Sequence, residues 1–135
     1  MKKYEVDRTA YADGRLPNND IVLYRYADVL LMKAEALVRN GESGDAPFNA
    51  VRRRVGMAEK AATLDNILDE RCRELYWENV RRTDLVRFGK FAKGYNWSYK
   101  SGVDEGADFP EYMNVFPIPS NVIASQPDFK QNIGY

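Results

Sequence analysis

No histidine occurs anywhere in the 135 residues. That absence removes the commonest general base, the commonest metal ligand, and every Ser–His or Cys–His nucleophile arrangement. Cysteine is nearly missing too. Cys72 stands alone, so there is no internal disulfide framework. Surplus charge of one sign is also missing, because 20 Lys plus Arg balance 20 Asp plus Glu. A general nucleic-acid binder needs excess positive charge to displace counterions from phosphates, and none exists in bulk here. No run of about 18 apolar residues is free of charge, so nothing reads as a membrane-spanning helix. The opening MKKYEVDRTAYADG has no apolar segment behind its lysines and does not read as a secretory signal.

What is present is globular. Hydrophobic residues make up 44% and charged residues 30% of the chain, enough for one domain with a core. Residues 1–20 form a polar, turn-rich lead-in, and Asp20 is placed to cap a following helix. That helix runs from Ile21 to Asn40 and ends at Gly41, a good left-handed terminator. Leu23, Tyr26, Leu30, Ala34 and Leu37 share one face; Tyr24, Ala27, Leu31 and Val38 fill the next. Arg25, Asp28, Glu35 and Arg39 are left as a narrow polar stripe. A helix apolar over most of its circumference is expected to be surrounded by other elements.

After the short connection GESG, Asp45 is placed to cap a second helix with Pro47 in its first turn. Phe48, Val51 and Val55 make its apolar face and Gly56 ends it. So short a loop implies a helical hairpin over 21–56, of tetratricopeptide type, with no second copy in the sequence. Thr63 is placed to cap a third helix over 63–88, lined by Leu64, Ile67, Leu68, Cys72, Leu75 and Tyr76 and stopped by Gly89. Residues 89–135 read as loop and wrapping tail. Within them Gly94 to Lys100 alternates aromatic and polar, the two-residue period of a strand or extended loop. Pro117, Pro119 and Pro127 fix an extended path, and Tyr135 is placed to anchor its end. The fold class expected is mainly α.

The third helix contains ERCRELYWENVRRTDLVRFG, with five arginines and three glutamates. Glu70, Glu74 and Glu78 lie along one stripe, and Glu74 with Glu78 would be the acid–base pair of a glycosidase. The competing explanation is an ion-pair lattice. Arg71 would meet Glu74, Glu78 would meet Arg81 and Arg82, and Asp84 would meet Arg81 and Arg87, all three or four residues apart. We adopt the lattice and expect no catalytic residue, metal or cofactor. Cys72 is assigned to the core. The basic runs Arg52 to Arg54 and Arg81 to Arg82 are not taken as a nucleic-acid surface, because the chain carries no net charge.

Tyr95, Trp97 and Tyr99 are the candidate carbohydrate-binding residues. Flat aromatic faces stack on the C–H faces of sugars, with Asn96 and Ser98 beside them to bond hydroxyls. The alternation also fits a half-buried segment tucking its aromatics against the helices, and on pattern alone that plainer explanation is the stronger.

Three motifs share a resemblance. Tyr26 to Leu31 with Lys33 to Ala36 is similar to the RYADVLLMKAEAL helix of the SusD/RagB family. Glu70, Arg71, Glu74, Leu75, Glu78, Arg81, Asp84, Leu85, Arg87 and Gly89 resemble its ER..EL..EG.R..DL.R.G helix. Phe116 to Pro119, Asn121, Pro127 and Lys130 to Tyr135 resemble its terminal FPIP and KQNPGY elements. The motifs come in the family's order and cover 21–135, which would make that stretch a C-terminal domain of the family. Asn79 replaces a usual Gly, Gln126 an Asn, Phe129 a Leu and Ile133 a Pro.

The resemblance implies a non-catalytic protein of the bacterial outer-membrane surface. Such a protein binds an oligosaccharide or other nutrient and hands it to a SusC-like TonB-dependent transporter. It also implies a lipid anchor, a signal peptide and further helical repeats that this stretch does not contain. A fragment and a truncated stand-alone relative are both compatible with that. The alternative function is a helical-repeat module that binds a protein and no glycan.

Overall fold

The computed structural model describes Lys3 and residues 20–135. The lead-in expected over 1–20 therefore lies almost wholly outside the described residues. The chain is mainly helical: α1 (Tyr26–Arg39), α2 (Asp45–Arg54), α3 (Leu64–Glu74), α4 (Arg81–Arg87) and α5 (Ser120–Ser125). Two short 3-10 turns, Lys100–Gly102 and Glu111–Asn114, interrupt the irregular 90–119 region. Among the described residues there is no strand, and no helix is long and apolar enough to cross a membrane.

The core sits where α1, α2 and α3 meet. Leu31 and Ala34 from α1, Phe48 and Val51 from α2, and Ile67 from α3 are buried together, with Ala62 from the preceding loop. The small side chains Ala27 and Ala34 let the neighbouring helices approach α1 closely. Gly41 and Gly56 end α1 and α2 at φ 78° and 71°. Each lets the next amide reach back, Glu42 N–H to Leu37 O at 2.9 Å and Met57 N–H to Arg52 O at 3.0 Å. A residue with a Cβ pays steric strain in that left-handed conformation.

α1 departs from expectation at its start. It begins at Tyr26, not after Asp20, and Arg25 occupies the N-cap position in extended geometry with no side-chain cap. Ile21 and Tyr24 are 87% and 77% exposed, so this stretch finds no surface to pack on. Helix propensity without burial does not hold a terminal turn. The inward face also differs. Ala27, Leu31 and Ala34 are buried, whereas Tyr26 and Leu23 face out. Asp28 and Glu35, expected on the polar stripe, are buried because arginines from α3 and α4 reach them.

Asp45 does not cap α2. Gly44 takes that position, and Asp45 Oδ1 instead accepts the Ala62 N–H at 2.6 Å. Asn49 donates to Lys60 O at 2.9 Å and accepts from Lys60 N at 3.0 Å. Arg52 Nε donates to Ala58 O at 2.8 Å. α2 thus fastens the loop that delivers the chain to α3. Thr63 does cap α3, its hydroxyl accepting the Asn66 N–H at 3.1 Å.

The single helix expected over 63–88 is two helices. It breaks after Glu74, with Trp77 and Asn79 at φ 65° and 59°. The break lets Arg71 on α3 reach Asp84 on α4 at 2.8 Å. In one continuous helix those two residues would stand roughly 20 Å apart. Asn79, in the position where the family pattern carries Gly, takes the left-handed conformation that Asn tolerates best among non-glycine residues.

Residues 94–100 form no strand. The chain curls around the buried Lys100 ammonium, which donates to Ala92 O (3.0 Å), Tyr95 O (2.8 Å) and Asn96 Oδ1 (3.1 Å). The tail is held by side chains. Gln131 bonds both the N–H and the C=O of Ile118, at 2.8 and 2.9 Å, and Asn132 donates to Phe116 O at 2.8 Å. The Tyr135 hydroxyl donates to Val115 O at 2.8 Å, and its ring meets Tyr112 edge-on at 4.8 Å.

Candidate functional site

The signature helix resolves into charge pairs that join elements. Arg71 bonds Asp28 and Asp84, all three buried. Arg52 and Arg73 meet the buried Glu70. Arg87 bridges Glu35 (3.0 Å) and Asp84 (2.8 Å). Of the local pairs expected, Asp84–Arg87 forms. Arg71 does not pair with Glu74, nor Glu78 with Arg81 or Arg82, because each side chain is drawn to a partner on another element.

Glu74 and Glu78 are fully engaged. Glu74 accepts from Arg25 and from Arg54 at 2.7 Å, and Glu78 from Arg25 Nε at 2.9 Å and from Lys3. Burial pushes the Glu78 carboxyl up, but the bonds from Arg25 and Lys3 outweigh it and hold the group below the usual carboxylate range. The Glu78 hydrogen bond in turn holds the Arg25 guanidinium above its ordinary value. A glycosidase acid needs the opposite shift, upward. Among the described residues no group of acidic or cysteine side chains could hold a metal ion. Arg53 and Arg54 pair with Glu59 and Glu74, and Cys72 is a half-buried free thiol.

A pocket of about 290 Å³ opens between α4 and the segment that follows it. Arg81, Arg82 and Leu85 come from α4, one turn of helix placing them side by side; Phe91, Tyr95 and Trp97 form the facing wall. Leu85 is buried and anchors the floor. The wall is an aromatic cluster. The Trp97 ring lies 6.2 Å from Phe91, 6.4 Å from Tyr95 and 6.0 Å from Phe109, and Phe91 lies 5.4 Å from Phe109. Lys100 Nζ stands 5.1 Å from the Trp97 ring centre and fixes the loop beneath it.

Both arginines stack on rings. The Arg81 guanidinium lies 4.8 Å from the centre of Tyr95, and Arg82 is held between Phe91 at 4.7 Å and Phe116 at 3.7 Å. Arg81 Nη1 donates to Leu68 O at 3.0 Å, and Arg82 Nη2 to Met113 O at 3.0 Å. The arrangement offers flat apolar faces beside cationic donors, which suits a ring-shaped polar ligand.

Of the three sequence candidates, Tyr95 and Trp97 line the pocket and Tyr99 does not. Tyr99 is 72% exposed, at φ 64°, and takes no part in the cluster. Strict alternation would have put all three on one side; the curl around Lys100 breaks the period. Sequence reasoning missed Arg81, Arg82, Phe91 and Lys100. The first two were absorbed into the ion-pair expectation. Nothing in the sequence separates Lys100 from a surface lysine.

The model of the SusD family matches residues 1–135. The starch-binding protein SusD of Bacteroides thetaiotaomicron is 36% identical over 137 residues, covering 99% of this chain and 25% of that protein. A SusD-like protein of Formosa agariphila is 36% identical over 91 residues, covering 56% of this chain and 18% of that protein. Among solved structures, surface glycan-binding protein A from Bacteroides thetaiotaomicron is similar with TM-score 0.73 and 32% identity, over 87% of this chain and 25% of that one. The same protein in complex with laminarihexaose gives TM-score 0.72 at 32% identity, over 86% and 25%. The chain spans a quarter or less of the length of each of these relatives.

Proposed function

The chain belongs to the SusD family, and we propose that it serves a non-catalytic protein of the bacterial outer-membrane surface. That protein captures a glycan or similar nutrient and delivers it to a TonB-dependent transporter, with this chain as its C-terminal scaffold part. The relatives' names as starch-binding and glycan-binding proteins support the substrate class. The engaged state of Glu74 and Glu78 supports binding without hydrolysis. The single observation that carries a site in this chain is the pocket in which Trp97 and Tyr95 offer ring faces. Stacking of a sugar on such a face is tolerant of sugar type, and neighbouring donors set orientation.

Calorimetric titration with a panel of oligosaccharides tests this. We expect binding by the folded chain and its loss in Trp97→Ala. A well-folded chain that binds no glycan would support the runner-up, a helical protein-interaction module. One observation favours that second reading: Tyr24 just before α1, and Tyr26, Val29 and Met32 on it, leave apolar side chains exposed.

A further inference from the structure

Ten arginines fall among the described residues, and eight of them pair with a carboxylate. The two that do not are Arg81 and Arg82, and both line the aromatic pocket. On the flanking loop Glu111 meets Lys93 at 3.2 Å and Asp108 meets Lys100 at 3.8 Å, and no described carboxylate of that loop pairs with Arg81 or Arg82. Where every other described arginine meets a carboxylate, two guanidiniums without one converging on a single pocket are an electrostatic feature of that pocket.

Each also keeps donors free beyond its backbone bonds. Arg81 Nη2 is buried without any hydrogen-bond partner. A buried charged donor left unsatisfied carries a large desolvation cost, which an incoming acceptor relieves. Arg82 Nη2 is held by Met113 O and Asn114 O, while its Nε and Nη1 donate to no acceptor among the described residues. Its plane is fixed by Phe91 and Phe116, so those donors are pre-oriented. Guanidinium forks of fixed orientation match carboxylate geometry.

We infer that the pocket selects a carboxylated sugar, a uronic acid residue within a glycan. The sugar ring stacks on Trp97, its carboxylate meets the free edge of Arg82, and movement of the overlying Tyr95 ring admits it to Arg81 Nη2. The inference rests on the glycan-binding reading above and adds the charge of the substrate. The exposed ring of Trp97 argues for a sugar over an acidic peptide, since a side-chain carboxylate alone leaves that ring uncovered. The pocket volume lies near the lower end of small-ligand sites, about 300 Å³ and upward, and suits one ring better than a chain segment.

The test is calorimetry on the chain with two oligosaccharides of equal length, one of galacturonic acid and one of galactose, and with an oligo-aspartate peptide. We expect the acidic sugar to bind on the order of tenfold more tightly than the neutral one, a preference that shrinks as ionic strength rises from about 0.05 M to about 0.5 M. That salt arm needs no variant. Arg82→Gln and Arg81→Gln, checked for folding by circular dichroism, are each expected to reduce the preference. Equal affinity for both sugars, with Trp97→Ala abolishing binding, would overturn the charge inference and leave the glycan reading standing. No binding of either sugar would overturn both. A preference that survives both arginine variants, or oligo-aspartate binding as tightly as the acidic sugar, would also overturn the inference.

Discussion

Arg71 Nη1 lies 2.7 Å from Asp28 Oδ1, joining α3 to α1 across 43 residues of sequence, with both side chains buried. The same guanidinium holds Asp84 on α4. A planar fork between two carboxylates fixes how three helices meet, which a flexible ammonium would not do. Arg71→Leu strands Asp28 without any other charged partner among the described residues. The expected loss is about 3–5 kcal/mol of folding stability, the range for breaking a buried ion pair. Urea denaturation measures it; a loss well under 1 kcal/mol would show that the network is incidental.

Acid should destabilise the fold through Glu35 and Glu78. Burial raises the Glu35 carboxyl, but bonds from Arg87 and Arg39 outweigh it and bring it below its ordinary 4.5; Glu78 behaves likewise under Arg25 and Lys3. The folded chain therefore resists taking up protons that the unfolded chain accepts. Their contribution is complete above 4.5 and is lost as pH falls through the lower folded values. The urea midpoint should hold from neutral pH down to that point and then decline, less steeply in Glu35→Gln. A midpoint unchanged in acid contradicts this.

Asn79 tests the turn between α3 and α4. At φ 59° it occupies a conformation that costs a residue bearing a Cβ about 1–2 kcal/mol. Asn79→Gly should leave thermal stability level or raise it, and Asn79→Ala should lower it by about 1 kcal/mol. Calorimetric melting of the two variants separates them. If Ala is tolerated as well as Gly, the left-handed turn is not what splits the helix.

Lys100→Met should loosen the pocket wall without unfolding the helices. It removes three bonds that gather residues 92–96 around the ammonium. Hydrogen exchange should quicken for amides of the 91–109 segment and stay slow in α1 to α3. A uniform loss of protection would place Lys100 in the global core instead.

Trp97→Ala and Tyr99→Ala should part company. Trp97 lines the pocket at 38% exposed and contacts Phe91, Tyr95 and Phe109, whereas Tyr99 does neither. Glycan affinity should fall by tenfold or more in the first, about 1.4 kcal/mol or greater, and stay within about twofold in the second. Equal losses would relocate the site.

Apolar periodicity and terminating glycines in the sequence determined that α1 and α2 exist and where they end, and a hydroxyl before a periodic run located the start of α3. Those are local matters: a cap, a left-handed residue and a face depend on near neighbours. The family signature was legible for the same reason, as a string of residue types in order. Which carboxylates were buried was decided by tertiary structure, because Asp28 and Glu35 look like surface residues until arginines 43 and 52 positions away arrive. The break after Glu74 had only a weak local signal in Asn79; Trp77 takes left-handed geometry as well, and the long-range pairs of Arg71 to α1 and α4 accompany the turn. The pocket lies furthest from what sequence could say. Tyr95 and Trp97 share it, and Tyr99 is excluded, through the path the backbone takes around one buried ammonium. No two-residue period can encode that path.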